Sequence, residues 1–181
     1  MELTLFQATL FFGLALLLMG GALLFKYGPV SAVARTFPRS SQAGVVLMIV
    51  AMTWTAWKVL HLGAADYGNF KQYILIGFGL LGLATFKYAP DFLSVRAASI
   101  LYLFLANSLL DSAWMQYDKP MRLLLVAPTY LGIVFALYLA YAPFRLRDFL
   151  AWLFNRESRA KKLATALAIY GALLSGVAFA L

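Results

Sequence analysis

The chain contains no cysteine and a single histidine. Without a thiol there is no disulfide, no thiolate metal site and no thiol nucleophile. With His61 alone, one subunit cannot assemble a bis-histidine haem or a paired-histidine zinc site. Charge is sparse as well: Asp, Glu, Lys and Arg make up 12% of 181 residues, against about 25% in an ordinary soluble domain. No glycine loop for phosphate, no paired metal carboxylates and no nucleophile elbow occurs. These absences argue against an enzyme, and neither a cofactor nor a metal is expected.

What the chain does have is apolar length. It is 64% hydrophobic with a mean hydropathy of +0.83, more oil than a soluble fold of this size can hide. A bilayer crossing takes about 20 apolar residues, and six stretches qualify, at roughly 3–25, 42–60, 70–89, 93–114, 121–143 and 163–181. None alternates with the two-residue period of an outer-membrane barrel. The expected fold is therefore an all-α integral membrane protein of six transmembrane helices, a single transmembrane domain over 1–181. The first stretch reads as a span because Met1-Glu2-Leu3 lacks a positive start and no small-x-small cleavage site follows.

A net charge of +8 would suggest nucleic acid for a soluble protein, but here the cations sort by membrane side. No nucleic-acid partner is expected. With the N-terminus outside, the cytoplasmic side holds Lys26, Arg35, Arg39, Lys87, Arg96, Arg145, Arg147, Arg156, Arg159, Lys161 and Lys162. The outer side holds Lys58, Lys71, Lys119 and Arg122. This positive-inside bias predicts a multi-pass protein of a bacterial inner membrane with both termini outside the cytoplasm.

The chain also repeats itself. Phe25-Lys26-Tyr27-Gly28-Pro29 returns as Phe86-Lys87-Tyr88-Ala89-Pro90, 61 positions later, and Arg35 and Arg96 keep the register. A weaker copy is Ala140-Tyr141-Ala142-Pro143. Three short helical hairpins follow, approximately 3–60, 70–114 and 121–181, as a pseudo-threefold parallel repeat about an axis along the membrane normal. The plainer reading is punctuation: a lysine suits a helix C-terminus, a tyrosine the interface, and a proline stops the helix. The alternative is a functional ring of Lys26, Tyr27, Pro29, Lys87, Tyr88 and Pro90 at the cytoplasmic mouth.

Residues 144–162 mix Phe144, Phe149, Trp152 and Phe154 with basic side chains, the composition of a helix lying in the headgroup plane. This basic interfacial helix before the last span is expected to meet anionic headgroups through Arg145, Arg147, Arg156, Arg159, Lys161 and Lys162. Near the outer side, Asn107, Asp111 and Trp114 share one helix face, as do Trp54, Trp57 and His61. Ionisable groups at membrane depth usually turn toward protein or water. Asn107, Asp111 and His61 are thus the candidate polar site, unless Asp111 simply pairs with Lys119 or Arg122 at the surface. Gly79 with Gly82, and Gly13 with Gly20 and Gly21, are expected to allow close helix packing.

In arrangement alone, three tandem two-helix units resemble the mitochondrial carriers. The carriers' Pro-x-acid-x-x-base signature is missing, since its acidic positions fall on Ser31, Phe92 and Arg145. That resemblance carries no function across. The leading expectation is a non-enzymatic protein working by helix packing, as an accessory subunit of a membrane complex or a homo-oligomer. The alternative is a small-solute or ion transporter or channel, with a path near the repeat axis or a subunit interface.

Overall fold

The computed structural model describes residues 3–63 and 67–181. Among them are eight α-helices: α1 (Leu5–Phe25), α2 (Tyr27–Thr36), α3 (Ser41–Leu60), α4 (Lys71–Tyr88), α5 (Leu93–Ala113), α6 (Leu123–Tyr141), α7 (Phe144–Phe154) and α8 (Glu157–Ala178). Four segments are long and apolar enough to cross a membrane: α1, α3, α5 and Pro120–Tyr141, which contains α6. The helix α4 carries polar residues at both ends and α8 a charged first turn.

Local chemistry sets several boundaries. Thr4 caps α1 in a reciprocal box, its hydroxyl accepting from the Gln7 amide at 3.3 Å while the Gln7 side chain accepts from the Thr4 amide at 3.2 Å. Ser40 caps α3 through the Ala43 amide. A helix break falls at each tyrosine-proline copy: α1, α4 and α6 end at Lys26 (φ −127°, ψ 48°), Ala89 (φ −139°, ψ 50°) and Ala142 (φ −121°, ψ 69°), although in the first copy Pro29 lies within the next helix. The register differs between copies. Tyr88 and Tyr141 close their helices, whereas Tyr27 opens α2, so the two copies closest in sequence break their helices two residues apart.

The long helices run between two ends. The first end gathers Leu5, Ala113 and Leu125 with Leu181. The second gathers Leu23, Phe154 and Ala160, with Met48, Leu93 and Ala97 packed nearby on α3 and α5. Both α4 and α8 follow the same course. Lys71 donates to the Leu60 carbonyl at the first end and Phe86 joins the Leu93 cluster toward the second, while Phe6 and Phe179 meet edge-on, 5.5 Å apart.

Close packing follows small residues more than chain adjacency. The most extensive contact joins α1 to α8, antiparallel. A Cβ on Gly20 would lie 2.6 Å from the Ala164 carbonyl oxygen, and one on Gly13 2.8 Å from the Ser175 amide. Gly171 and Gly82 are likewise seated against Leu17 and Met52, but Gly21 and Gly79 face open space. Other contacts join α5 to α6, α3 to α5 and α3 to α4. The helices expected to pair as hairpins, α1 with α3, α4 with α5 and α6 with α8, touch at few points. In the contacts α3 to α4, α5 to α6 and α8 to α1, the second long helix of one unit meets the first of the next.

The polar connection 144–162 is not one helix. It breaks between Phe154 and Glu157, so Arg159, Lys161 and Lys162 belong to α8 and Arg156 lies between helices. The connection between the first two expected spans contains the short helix α2.

Candidate functional site

The helix α5 delivers its polar residues to the first end. Its last turns read Asn107-Ser108-Leu109-Leu110-Asp111-Ser112, and the four-residue step brings Asn107 beside Asp111. The Asn107 side-chain amide donates to a carboxylate oxygen of Asp111 at 2.7 Å. The helix stops at Trp114, and Met115 continues with φ 61°, a left-handed conformation that turns the chain away.

Arg122 does not pair with Asp111. Its guanidinium donates to the Ala113 carbonyl at 2.9 Å and lies 4.5 Å from the centre of the Tyr117 ring. The Ala113 carbonyl is one of the orphan acceptors at the C-terminal end of α5, where the negative end of the helix dipole favours a guanidinium. Lys119 forms no ion pair with Asp111 either; among the described residues the ion pairs are Arg147–Asp148 and Lys161–Glu157.

Asp111 lines a half-open cavity of about 1330 Å³. The start of α1 and the C-terminal half of α3 form two of its walls, and α5 lines it between them. Lys58, Gln116 and Lys119 share the polar rim, while Ile49, Val50 and Leu105 line the apolar part. Ser108, Ser112 and Thr53 turn their hydroxyls onto their own helix carbonyls, so the charged side chains of the rim, among the described residues, are one carboxylate and two lysines beside the neutral Gln116. Trp54 packs on Phe104, with centroids 5.6 Å apart, and lines the cavity with Trp57 and Trp114. Reading the sequence alone missed Lys58, which shares a helix with Trp54 and Trp57 one residue beyond the aromatic stripe.

His61 stands apart from Asp111. Its ring lies 4.7 Å from that of Trp57 and its Nδ1 is 2.8 Å from the Trp57 carbonyl oxygen. It caps α3 and does not line the cavity.

The second end joins residues that the sequence could not connect. The hydroxyl of Tyr27 and the guanidinium of Arg35 both donate to the Phe154 carbonyl, at 3.1 and 2.5 Å. Arg159 donates to the Trp152 carbonyl and lies over the Trp152 ring. These bonds satisfy carbonyls at the C-terminal end of α7. The corresponding residues of the second copy behave differently: Tyr88 is exposed with Lys87 beside its ring, and the Nε of Arg96 is buried with no hydrogen-bond partner among the described residues. Lys26 is the residue at which α1 breaks, Pro29 lies in the first turn of α2 and Pro90 follows α4. Arg145 leans on Phe144, and Arg147 is bound by Asp148. Lys161 is paired with Glu157, while Arg156 and Lys162 are exposed.

Comparison with protein families, curated proteins and solved structures finds no match to this chain.

Proposed function

We propose that the protein is a non-enzymatic six-span membrane protein that takes a cationic small solute into the cleft beside Asp111, as a transporter or channel. One observation carries this reading: Asp111 lines a large cavity with Asn107 as its hydrogen-bond donor, and among the described residues no basic side chain, Lys58 and Lys119 of the same rim included, is paired to it. A carboxylate in that setting is held ready for a cation from elsewhere. The contacts α3 to α4, α5 to α6 and α8 to α1 follow the order that a three-unit repeat would give, while the α3 to α5 contact, more extensive than that of α3 with α4, has no counterpart of similar extent between the other units. The gathering of basic residues at the second end supports its placement in the cytoplasm.

Methylammonium uptake into proteoliposomes tests the reading. Liposomes carrying the protein should accumulate it faster than empty ones, and Asp111→Asn should reduce uptake to the empty-liposome rate at equal insertion. Equal rates with and without protein, or full uptake by the inserted variant, would refute it.

A second reading, an accessory subunit or homo-oligomer working by helix packing, is favoured by α4. Gly82 is its one buried residue, and Gly77 and Gly79 meet nothing within 4 Å. Gly79→Leu should then change the mass of the complex recovered by native mass spectrometry; an unchanged mass would count against that reading.

A further inference from the structure

The cleft is deeper than a small cation needs. Lys58 and Ile49, both in its wall on α3, are separated by about 13 Å at the helical rise of 1.5 Å per residue. Asp111 and Leu105 on α5 differ by about 9 Å on the same measure. The hydrocarbon core of one leaflet is about 15 Å thick. The apolar slot beneath the charged rim therefore runs through most of a leaflet. At about 1330 Å³ it also exceeds the roughly 300–1,000 Å³ of ordinary small-molecule sites.

The cleft lies where α1 and α3 fail to pack, and its apolar wall is open. Ile49 is 54% exposed, and Val50 and Leu105 are also exposed. Among the described residues, the rim's charged side chains are one carboxylate and two ammonium groups, none paired with another. An anionic headgroup alone would match Lys58 and Lys119 but leave Asp111 facing negative charge. A headgroup carrying both phosphate and ammonium answers all three.

We propose that the cleft binds a zwitterionic phospholipid with a primary ammonium headgroup. Its phosphate meets Lys58 and Lys119, its ammonium meets Asp111, and one acyl chain lies along Ile49, Val50 and Leu105. This rests on the reading of Asp111 as a cation-binding carboxylate and replaces the small solute by an amphiphile entering from the bilayer between α1 and α3.

Tryptophan placement supplies the test. Trp54, Trp57 and Trp114 line the cleft, and the remaining tryptophan, Trp152, sits on α7 at the other end. The full chain carrying Trp152→Phe, in non-ionic detergent, is titrated with phosphatidylethanolamine bearing brominated chains, which quench nearby indoles. Phosphatidylglycerol with the same chains and the chain-free headgroup glycerophosphoethanolamine are run alongside.

Quenching by the ethanolamine lipid should saturate at a concentration at least tenfold below that for the glycerol lipid. Asp111→Asn should bring the two within twofold. Non-saturating quenching, or equal quenching by both lipids, overturns the proposal without reference to Asp111→Asn. Relief of quenching by glycerophosphoethanolamine at concentrations equal to the lipid also overturns it, because the chain would then contribute nothing. That last outcome, with methylammonium uptake intact, leaves the small-solute reading standing; loss of uptake with lipid binding intact removes only transport.

Discussion

The hydroxyl of Tyr170 on α8 donates to the carbonyl of Leu124 on α6 at 2.7 Å. Leu124 lies four residues before Pro128, which has no N–H to give, so its carbonyl is the one that the proline strips of a helical partner. In hydrocarbon no water replaces it. A side chain 46 positions away does so, and ties α8 to α6.

Removing that hydroxyl by Tyr170→Phe should cost about 1 kcal/mol, the net worth of a part-buried hydrogen bond. Pro128→Ala restores the helical donor. In the Pro128→Ala background Tyr170→Phe should therefore be nearly neutral, as read by thermal unfolding in detergent. Equal costs in both backgrounds would show that the bond does not serve the proline site.

The two adjacent glycines toward the C-terminal end of α1, Gly20 and Gly21, should respond oppositely. Gly20→Ala drives a Cβ into backbone atoms of α8 and should destabilise by about 1–3 kcal/mol. The Cβ of Gly21→Ala meets nothing within 4 Å, so the better helix propensity of alanine should stabilise by up to about 1 kcal/mol. Melting curves of the two variants under one condition decide it.

At the second end, Tyr27→Phe removes a donor to the Phe154 carbonyl and Tyr88→Phe removes an exposed hydroxyl. The first should cost about 1 kcal/mol and speed tryptic cleavage at Arg156, just beyond α7. The second should do neither. Equal sensitivity would point to a shared role for the repeated tyrosines beyond helix punctuation.

Because the chain lacks cysteine, single replacements report sidedness without background. Lys71→Cys and Lys119→Cys should react with a membrane-impermeant maleimide from one side of the membrane, Lys87→Cys and Arg145→Cys from the other. Labelling of positions 71 and 87 from the same side would remove α4 from the spans.

The membrane class and the helical class were legible in the sequence, because bilayer thickness fixes the length of an apolar helix and forces its backbone to bond internally. So were the helix breaks at Lys26, Ala89 and Ala142, since Pro29, Pro90 and Pro143 act within a few residues of their own position. The Asn107–Asp111 bond follows from a four-residue helical step. Tertiary structure alone decided that Asp111 faces a cavity without Lys119 or Arg122 as ion partner, that His61 turns back onto Trp57, and that Gly20 is seated while Gly21 is not. It also joined Tyr27 and Arg35 to Phe154, and Tyr170 to Leu124. Those outcomes depend on which helix lies next to which, and in an apolar solvent the hydrophobic pattern that orients a soluble helix is absent. Neighbours are then chosen by the fit of small residues and by carbonyls left without donors, both of which bring together residues far apart in the chain.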